Sequence, residues 1–262
     1  MPLPPPSPRI LVIIPCRNEE SRVGEVIRAI RAILPRADII VVDDASSDGT
    51  GAEAASAGAT VLKHGCNLGY GAALETGYLH AVRHNYDIVL QMDGDGQHIA
   101  EELPRLLQPL ADGQADLVLG SRYSSAGGQA SAPLIRRLGH RFFSGLILLL
   151  TGRRFSDPTS GFQGLSKRAL HLFSGGFFPC DYPDSDVLLM SIMSGLRIRE
   201  VPVRMLPRSG GVSMHAGLRP LYYGMKMLLS IFIVLLNFRT WHRWRRAHEV
   251  PASGFAEDRK GA

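Results

Sequence analysis

No stretch of this chain reaches the roughly 18 consecutive apolar residues of a membrane-spanning helix. Phe142 to Leu150 is too short, and the stretch from Met225 to Phe238 is interrupted by Lys226. Cysteine is scarce: Cys16, Cys66 and Cys180 lie far apart and form no CxxC pair. That argues against zinc and makes a reduced, cytoplasmic setting the simplest inference. No GxxxxGK[ST] loop is present, which counts against an ATPase. Aromatic and basic residues do not alternate outside the last predicted helix, which counts against a nucleic-acid module. Met1 to Pro8 is Pro-rich without an apolar core, so it is expected to be a disordered lead-in and not a signal peptide. There is no internal repeat. The formal net charge of +5 admits an anionic partner without naming one.

What is present is a folded chain of 262 residues, long enough for one large domain. Its first half alternates strand and helix signals. Arg9 to Pro15, Asp38 to Asp44, Thr60 to Lys63, Asp87 to Met92 and Asp116 to Gly120 read as strands. Glu19 to Leu34, Tyr70 to His84 and Glu101 to Leu110 read as helices, and Ser47 or Asp48 can cap another. Such alternation implies an α/β fold with a mostly parallel central sheet flanked by helices. Ligands of such sheets bind at the carboxyl ends of the strands. After Ser121 the pattern breaks. Ser124 to Ala132 reads as a loop, Leu134 to Leu150 as a helix and Asp157 to Gly164 as a turn-rich crossing. Asp184 to Ser194 reads as a helix, Arg197 to Val203 as a strand, and Pro207 to Gly217 as a flexible loop. Leu218 to Trp244 reads as one long helix.

The segment Gln91-Met92-Asp93-Gly94-Asp95-Gly96-Gln97-His98 places two carboxylates, two residues apart, where a buried strand ends. Residues i and i+2 of an extended segment point the same way. Two acids on one side repel unless a cation sits between them, and oxygen ligands suit Mg²⁺ or Mn²⁺. A solvated turn is the competing reading. Pro15, Arg17, Asn18 and Glu19 form a polar turn after the first strand that can receive a ribose or base; a helix start is the alternative. Asp43 and Asp44 end the second strand and can bind a nucleobase or cap a helix. Asn67 to Gly71 reads as a loop near a nucleotide, although Gly69-Tyr70-Gly71 departs from a dinucleotide fingerprint at Leu74. Arg122 and Arg136 have the planar fork that suits phosphate. Near the C-terminus, Trp241 and Trp244 interleave with Arg239, Arg243, Arg245 and Arg246, a composition that suits a membrane–water interface. A helix packed on the domain is the alternative.

Taken together, these motifs resemble glycosyltransferase family 2, and more narrowly the dolichol-phosphate mannosyltransferase-like and bacterial polyprenyl-phosphate enzymes. The likeness runs from about Arg9 to about Phe238. It rests on Pro15 with Asn18-Glu19, Asp43-Asp44 with Ser47 to Thr50, Asn67-Leu68-Gly69 and Asp93 to His98. It continues through Gly120 to Tyr123, Asp157 to Phe162 and the Arg208 to Ser213 loop. Met214 stands where many members have Lys, and the two C-terminal transmembrane helices of some members have no counterpart.

The resemblance implies a GT-A fold over residues 9–217, followed by an interfacial amphipathic helix over 218–246 and a polar tail over 247–262. It implies a nucleotide-sugar donor, a divalent ion (Mg²⁺ or Mn²⁺), inversion at the sugar carbon and a polyprenyl-phosphate acceptor. Metal ligands would be Asp93, Asp95 and Gln97. Donor and phosphate contacts would come from Pro15, Arg17, Asn18, Glu19, Asp43, Asp44, Asn67, Gly71, Arg122, Arg136, Arg208 and Ser213. Asp95, Arg122 and Asp157 would carry the chemistry, Asp157 as base if the acceptor is a hydroxyl. The expected location is peripheral, on the cytoplasmic face of a membrane, and a membrane-protein partner is compatible with it. A soluble or cell-surface acceptor is the nearest alternative, and a non-catalytic nucleotide-sugar-binding adaptor the next.

Overall fold

Apolar runs without polar interruptions become interior strands, because both of their faces must be covered. The computed structural model describes residues 7–122, 134–179, 183–206 and 219–248, with side chains for all of these except 134–140 and 219–223. The lead-in residues 1–6, the loops expected over 124–132 and 207–217, and the end of the tail lie outside the described residues.

The first half is a run of parallel strand–helix units: β1 (Ile10–Cys16), α1 (Glu20–Ile33), β2 (Asp38–Asp43), α2 (Thr50–Ser56), β3 (Thr60–Lys63), α3 (Tyr70–Arg83) and β4 (Ile88–Gln91). A short 3₁₀ turn (Ala100–Glu102) leads to α4 (Leu103–Ala111) and β5 (Leu117–Ser121). The second half holds α5 (Leu134–Thr151), β6 (Gln163–Ser166), α6 (Lys167–Phe173), α7 (Ser185–Met193), β7 (Ile198–Pro202), α8 (Arg219–Leu236) and α9 (Phe238–Ala247). The seven strands form one sheet in the order β3-β2-β1-β4-β6-β5-β7. All neighbours are parallel except β6, which runs antiparallel to both β4 and β5.

Alternation along each strand divides the core into two layers. Leu11 and Ile13 face one cluster with α3, α6 and α7, and Ile40 and Val42 join them. Val12, Ile14, Ile39 and Val41 face the other, with α1 and α4. Helix α3 lies close on β1: a Cβ at Gly77 would come within 2.6 Å of the Ile13 side chain.

Three findings differ from expectation. The stretch Asp157 to Gly164 does not only cross over; its end enters β6, and α6 follows. Four residues are too few for periodicity to reveal a strand. The helix start after Asp43 is capped differently: Gly49 is the cap residue, while Asp48 accepts from the Thr50 amide at 3.0 Å. The single helix expected over Leu218 to Trp244 is instead α8 and α9, bent by 59° at the break. Asn237 stands at that break.

The bend lets α9 fold back. Trp241 is buried at 3% exposure, within the core cluster that also holds Met227, Ile231 and Val234 of α8, and its indole N–H donates to the Val234 carbonyl at 2.8 Å. Trp244 is partly buried and lies under the Arg168 guanidinium at 5.6 Å. The two tryptophans therefore pack on the domain, and Trp241 is not a ring at a lipid headgroup. No single described helix is long and apolar enough to cross a membrane.

Burial of this kind has a measurable size. Trp241→Ala should lower unfolding free energy by about 3–5 kcal/mol, the usual cost of emptying such a site. Urea melts of the two proteins test it, and an unchanged midpoint would mean that the ring is solvated.

Candidate functional site

Strands β2, β1 and β4 are adjacent and parallel, so their carboxyl ends share one edge. Each ends in a polar turn. After β1 the turn carries exposed Arg17 and Asn18, with Asn18 at φ 57°. Asn18 Oδ1 accepts from the Ser47 amide at 2.9 Å, its own amide donates to Ser46 Oγ at 3.0 Å, and the Glu19 amide donates to Thr50 Oγ1 at 2.8 Å. These bonds stitch the β1 turn to the β2 turn. Pro15, the penultimate residue of β1, pairs with Val42.

The two acids after β2 have different work. Asp44 accepts from the Leu68 and Gly69 amides at 2.8 and 2.9 Å and from His64 Nδ1 at 2.8 Å. Burial raises its pKa, but these bonds outweigh burial and hold the carboxyl below the usual range. Asp44 thus locks the 64–69 loop. Asn67 shapes the same loop, its Oδ1 accepting from the Gly69 amide, and Gly69 takes a left-handed φ of 100° just before Gly71 enters α3. Asp43 is buried as well. Its Oδ1 accepts from the Ser46 amide at 2.9 Å, whereas Oδ2 accepts no hydrogen bond, with Lys63 Nζ 3.8 Å away. A buried carboxylate oxygen without a donor is rare and costly. It suits a ligand N–H or hydroxyl.

Beyond β4 the chain crosses the end of β1. A Cβ at Gly94 would meet Cys16 Sγ at 2.3 Å, so only glycine passes there. Gly96 has φ 76° and completes the turn. Asp95 Oδ1 accepts from the Gln97 amide at 3.0 Å. Asp93 is held from two sides: Tyr70 Oη donates to Oδ1 at 2.8 Å, and the Asp93 amide donates to His98 Nδ1 at 3.0 Å. Burial, then the Asp93 charge, pushes the Tyr70 phenol up, so it stays protonated and donates. Gln91 bridges the layer below, donating to Tyr70 Oη at 3.2 Å and to the Gly161 carbonyl at 2.9 Å while accepting from Tyr78.

The electrostatics join these turns into one site. The Cys16 thiol is pushed well up, by burial first and then by Glu19, Asp93, Asp43 and Asp95. Acids from three turns therefore lie near enough to act on one thiol. The buried His98 ring stacks on Phe162 at 4.7 Å. Burial holds its pKa down; Asp93, Asp95 and Asp157 oppose that, and Arg122 adds to it. His98 thus stands between the Asp93–Asp95 turn and a second pair, Arg122 and Asp157. Arg122 grips Asp157 with Nε at 2.9 Å and Nη2 at 3.3 Å. Asp157 is fully buried, and its amide donates to Glu200 Oε1 at 2.9 Å.

A hard dication fits the donor set of the β4 turn. Asp93, Asp95 and Gln97 carry side-chain oxygens of the kind such an ion takes. Among the described residues no group of three or more His, Cys, Asp or Glu side chains is placed to hold a metal ion.

Among the expected site residues, Asp43, Asp93, Asp95, Glu19, Arg122 and Asp157 come together around Cys16 and His98. Asn18, Asp44 and Asn67 shape the surrounding loops. Arg136 falls within α5, but its side chain, like Arg208, Ser213 and Met214, lies outside the described residues. Tyr70, Gln91, His98 and Glu200 were not foreseen. The one readable signal was Gln91, a polar residue closing an otherwise apolar strand.

Residues 11–173 match the model of the family described as glycosyl transferase family 2. The chain is 32% identical over 224 residues to the polyprenol monophosphomannose synthase of Mycolicibacterium smegmatis, covering 81% of this chain and 83% of that one. It is 32% identical over 221 residues to the undecaprenyl-phosphate mannosyltransferase of Micrococcus luteus, covering 80% and 88%. Among solved structures it resembles glucosyl-3-phosphoglycerate synthase of Mycobacterium tuberculosis, in complex with Mn²⁺, UDP-glucose and phosphoglyceric acid. The TM-score is 0.66 at 21% identity, over 87% of this chain and 79% of that one, a likeness of fold. The sheet order, the acids gathered at its carboxyl edge and these matches lead to one conclusion: the chain has the GT-A fold, belongs to glycosyltransferase family 2, and is a glycosyltransferase.

Proposed function

We propose that the chain transfers a hexose, with inversion, from a nucleotide-sugar donor to a polyprenyl phosphate at the cytoplasmic face of a membrane, using Mg²⁺ or Mn²⁺. The observation that carries this reading is that Glu19, Asp43, Asp93 and Asp95 all stand at the carboxyl edge of the adjacent parallel strands β2, β1 and β4. That much negative charge is stable beside an anionic donor only with a cation between them. The names of two relatives given above, polyprenol and undecaprenyl-phosphate transferases, supply the acceptor class.

In this reading Asp43 Oδ2 accepts a hydrogen bond from the base or ribose of the donor. Asp93, Asp95 and Gln97 hold the ion, with Tyr70 fixing the Asp93 carboxylate. When bound, the ion offsets charge developing on the departing nucleoside diphosphate. An oxygen of the acceptor phosphate bonds to the anomeric carbon from the opposite face as the bond to the diphosphate breaks. That oxygen is already ionised, so no proton has to be removed. Arg122 and Arg136 align the phosphate.

Asp157 is the candidate base for a hydroxyl acceptor. Both of its oxygens accept from the Arg122 fork. A carboxylate engaged in this way orients its arginine, and this favours the phosphate acceptor over the hydroxyl.

Membrane contact is proposed for α8 and α5, which both pack on α7. Leu149 is 81% exposed, Leu236 65% and Phe232 55%; Met225, Leu229 and Ile233 are exposed beside them. Large apolar side chains exposed together mark an interaction surface. Arg239, Arg243 and Arg246 on α9 are exposed nearby in sequence and suit anionic lipid.

Three measurements test the reading. Asp95→Asn should lower transfer of labelled sugar into the organic phase by at least about a hundredfold, with an unchanged melt; near-wild-type transfer would remove Asp95 from the proposed cation site. Asp43→Asn should weaken nucleotide binding about tenfold or more in calorimetry while kcat at saturating donor changes less. Phe232→Glu with Leu236→Glu should abolish sedimentation with anionic vesicles, yet preserve transfer to a short polyprenyl phosphate in detergent. Unaltered sedimentation would remove α8 from the membrane.

A further inference from the structure

The strand that leads into the acidic turn ends on a polar residue. Apolar side chains fill β4 as far as Leu90, and Gln91 then brings a carboxamide into the interior, where it is buried beside Tyr78. A buried carboxamide is costly unless its oxygen and its NH₂ are both bonded. Both are bonded here. Tyr78 Oη donates to Gln91 Oε1, while Nε2 donates to Tyr70 Oη at 3.2 Å and to the Gly161 carbonyl at 2.9 Å.

The direction of each of these bonds follows from what the partner can do. The Gly161 carbonyl only accepts, so the NH₂ end of Gln91 faces it, and the oxygen end is left for Tyr78. Burial pushes the Tyr78 phenol far up, so it keeps its proton and donates. Tyr70 has a single hydroxyl proton. Because the Gln91 NH₂ donates to the Tyr70 oxygen, that proton points elsewhere, and Asp93 Oδ1 accepts it at 2.8 Å. Four side chains thus form a relay that starts in the core, from Tyr78 to Gln91 to Tyr70 to Asp93. The chain entering β6 closes over it: a Cβ at Gly161 would come within 3.0 Å of Tyr70 Oη and 3.6 Å of Asp93 Oδ2.

We infer that Gln91 is a positioning residue for the acidic turn: by donating to the Tyr70 oxygen, it commits the Tyr70 proton to Asp93 and so holds that carboxylate in place for a cation. Without the Gln91 N–H the hydroxyl is no longer held to one direction. The inference rests on the functional reading above. In that reading Gln91 itself touches neither donor, acceptor nor ion.

The test uses the full chain with Mn²⁺, with GDP and UDP in separate arms, and follows free Mn²⁺ by electron paramagnetic resonance. Tyr70→Phe should raise the half-saturating Mn²⁺ concentration about tenfold, the low end for a group one contact removed from a metal ligand. Gln91→Met keeps the length of the side chain and removes its N–H groups. Standing one contact further away, it should raise that concentration about fivefold. In the Tyr70→Phe background the same change should add less than about twofold, because the path to Asp93 is already cut. Gln91→Met should therefore weaken Mn²⁺ uptake only where Tyr70 keeps its hydroxyl, a dependence that lost packing does not produce.

If Gln91→Met does not fold, Tyr78→Phe takes its place. It keeps the ring and leaves Gln91 Oε1 without its donor, and about a threefold rise is expected. Wild-type Mn²⁺ saturation in folded Gln91→Met, or in Tyr78→Phe where that is the variant used, would overturn the inference and leave the functional reading standing. An equal rise with and without the Tyr70 hydroxyl would overturn it as well. If the wild-type protein takes up no Mn²⁺ with either nucleotide, the functional reading falls, and this inference with it.

Discussion

Like charges held at close quarters are the constraint on which the rest of this structure depends. The carboxyl edge of the sheet gathers acids from three adjacent turns, and their combined field reaches the buried Cys16 thiol. Mutual repulsion would open that edge unless each carboxylate had a partner. Asp44 has two amides and His64, Asp93 has Tyr70, Asp95 has the Gln97 amide, and Asp157 has Arg122. Asp43, by contrast, keeps a buried oxygen without a donor. The folded chain therefore solves most of the electrostatic problem internally, and leaves unsolved the part that a ligand and its counter-ion would complete.

The partners also divide the edge into two working halves. One half, built by β1, β2 and the turn after β4, presents acceptors and negative charge. The other, Arg122 with Asp157, presents a guanidinium aimed by a buried acid. His98, from the turn after β4, and Phe162, from the chain entering β6, are stacked between them. A donor that needs a cation and an acceptor that needs an arginine can meet across such a partition without sharing their counter-charges.

Much of this could be read in advance, for identifiable reasons. Strands buried on both faces leave unbroken apolar runs, so β1, β2 and β4 were visible within a residue or two, as was the placing of their acids at one edge. Period and composition lose power where an element is short or its partner distant. Strand β6 has four residues, one of them glycine. The pairing of Arg122 with Asp157 spans 35 positions and leaves no local trace. Asp43 and Asp44 are alike on paper; only the fold shows that both oxygens of Asp44 are spent on loop amides while Asp43 keeps one without a donor. Trp241 illustrates the opposite error. Tryptophan among arginines is a fair signature of an interface, but the break at Asn237 turns the ring inward, and a helix bend of that kind has no compositional mark.

The antiparallel strand β6 has a consequence for how the chain is made. It supplies the second neighbour of β4, and the Gln91 side chain reaches across 70 positions to the Gly161 carbonyl that precedes it. During synthesis the first four strands emerge long before that neighbour exists. Until it arrives, β4 is the rim of a half-built sheet, with unpaired amides and carbonyls open to any extended segment nearby. Closing that rim late is the slow, long-range step that topology imposes on this chain.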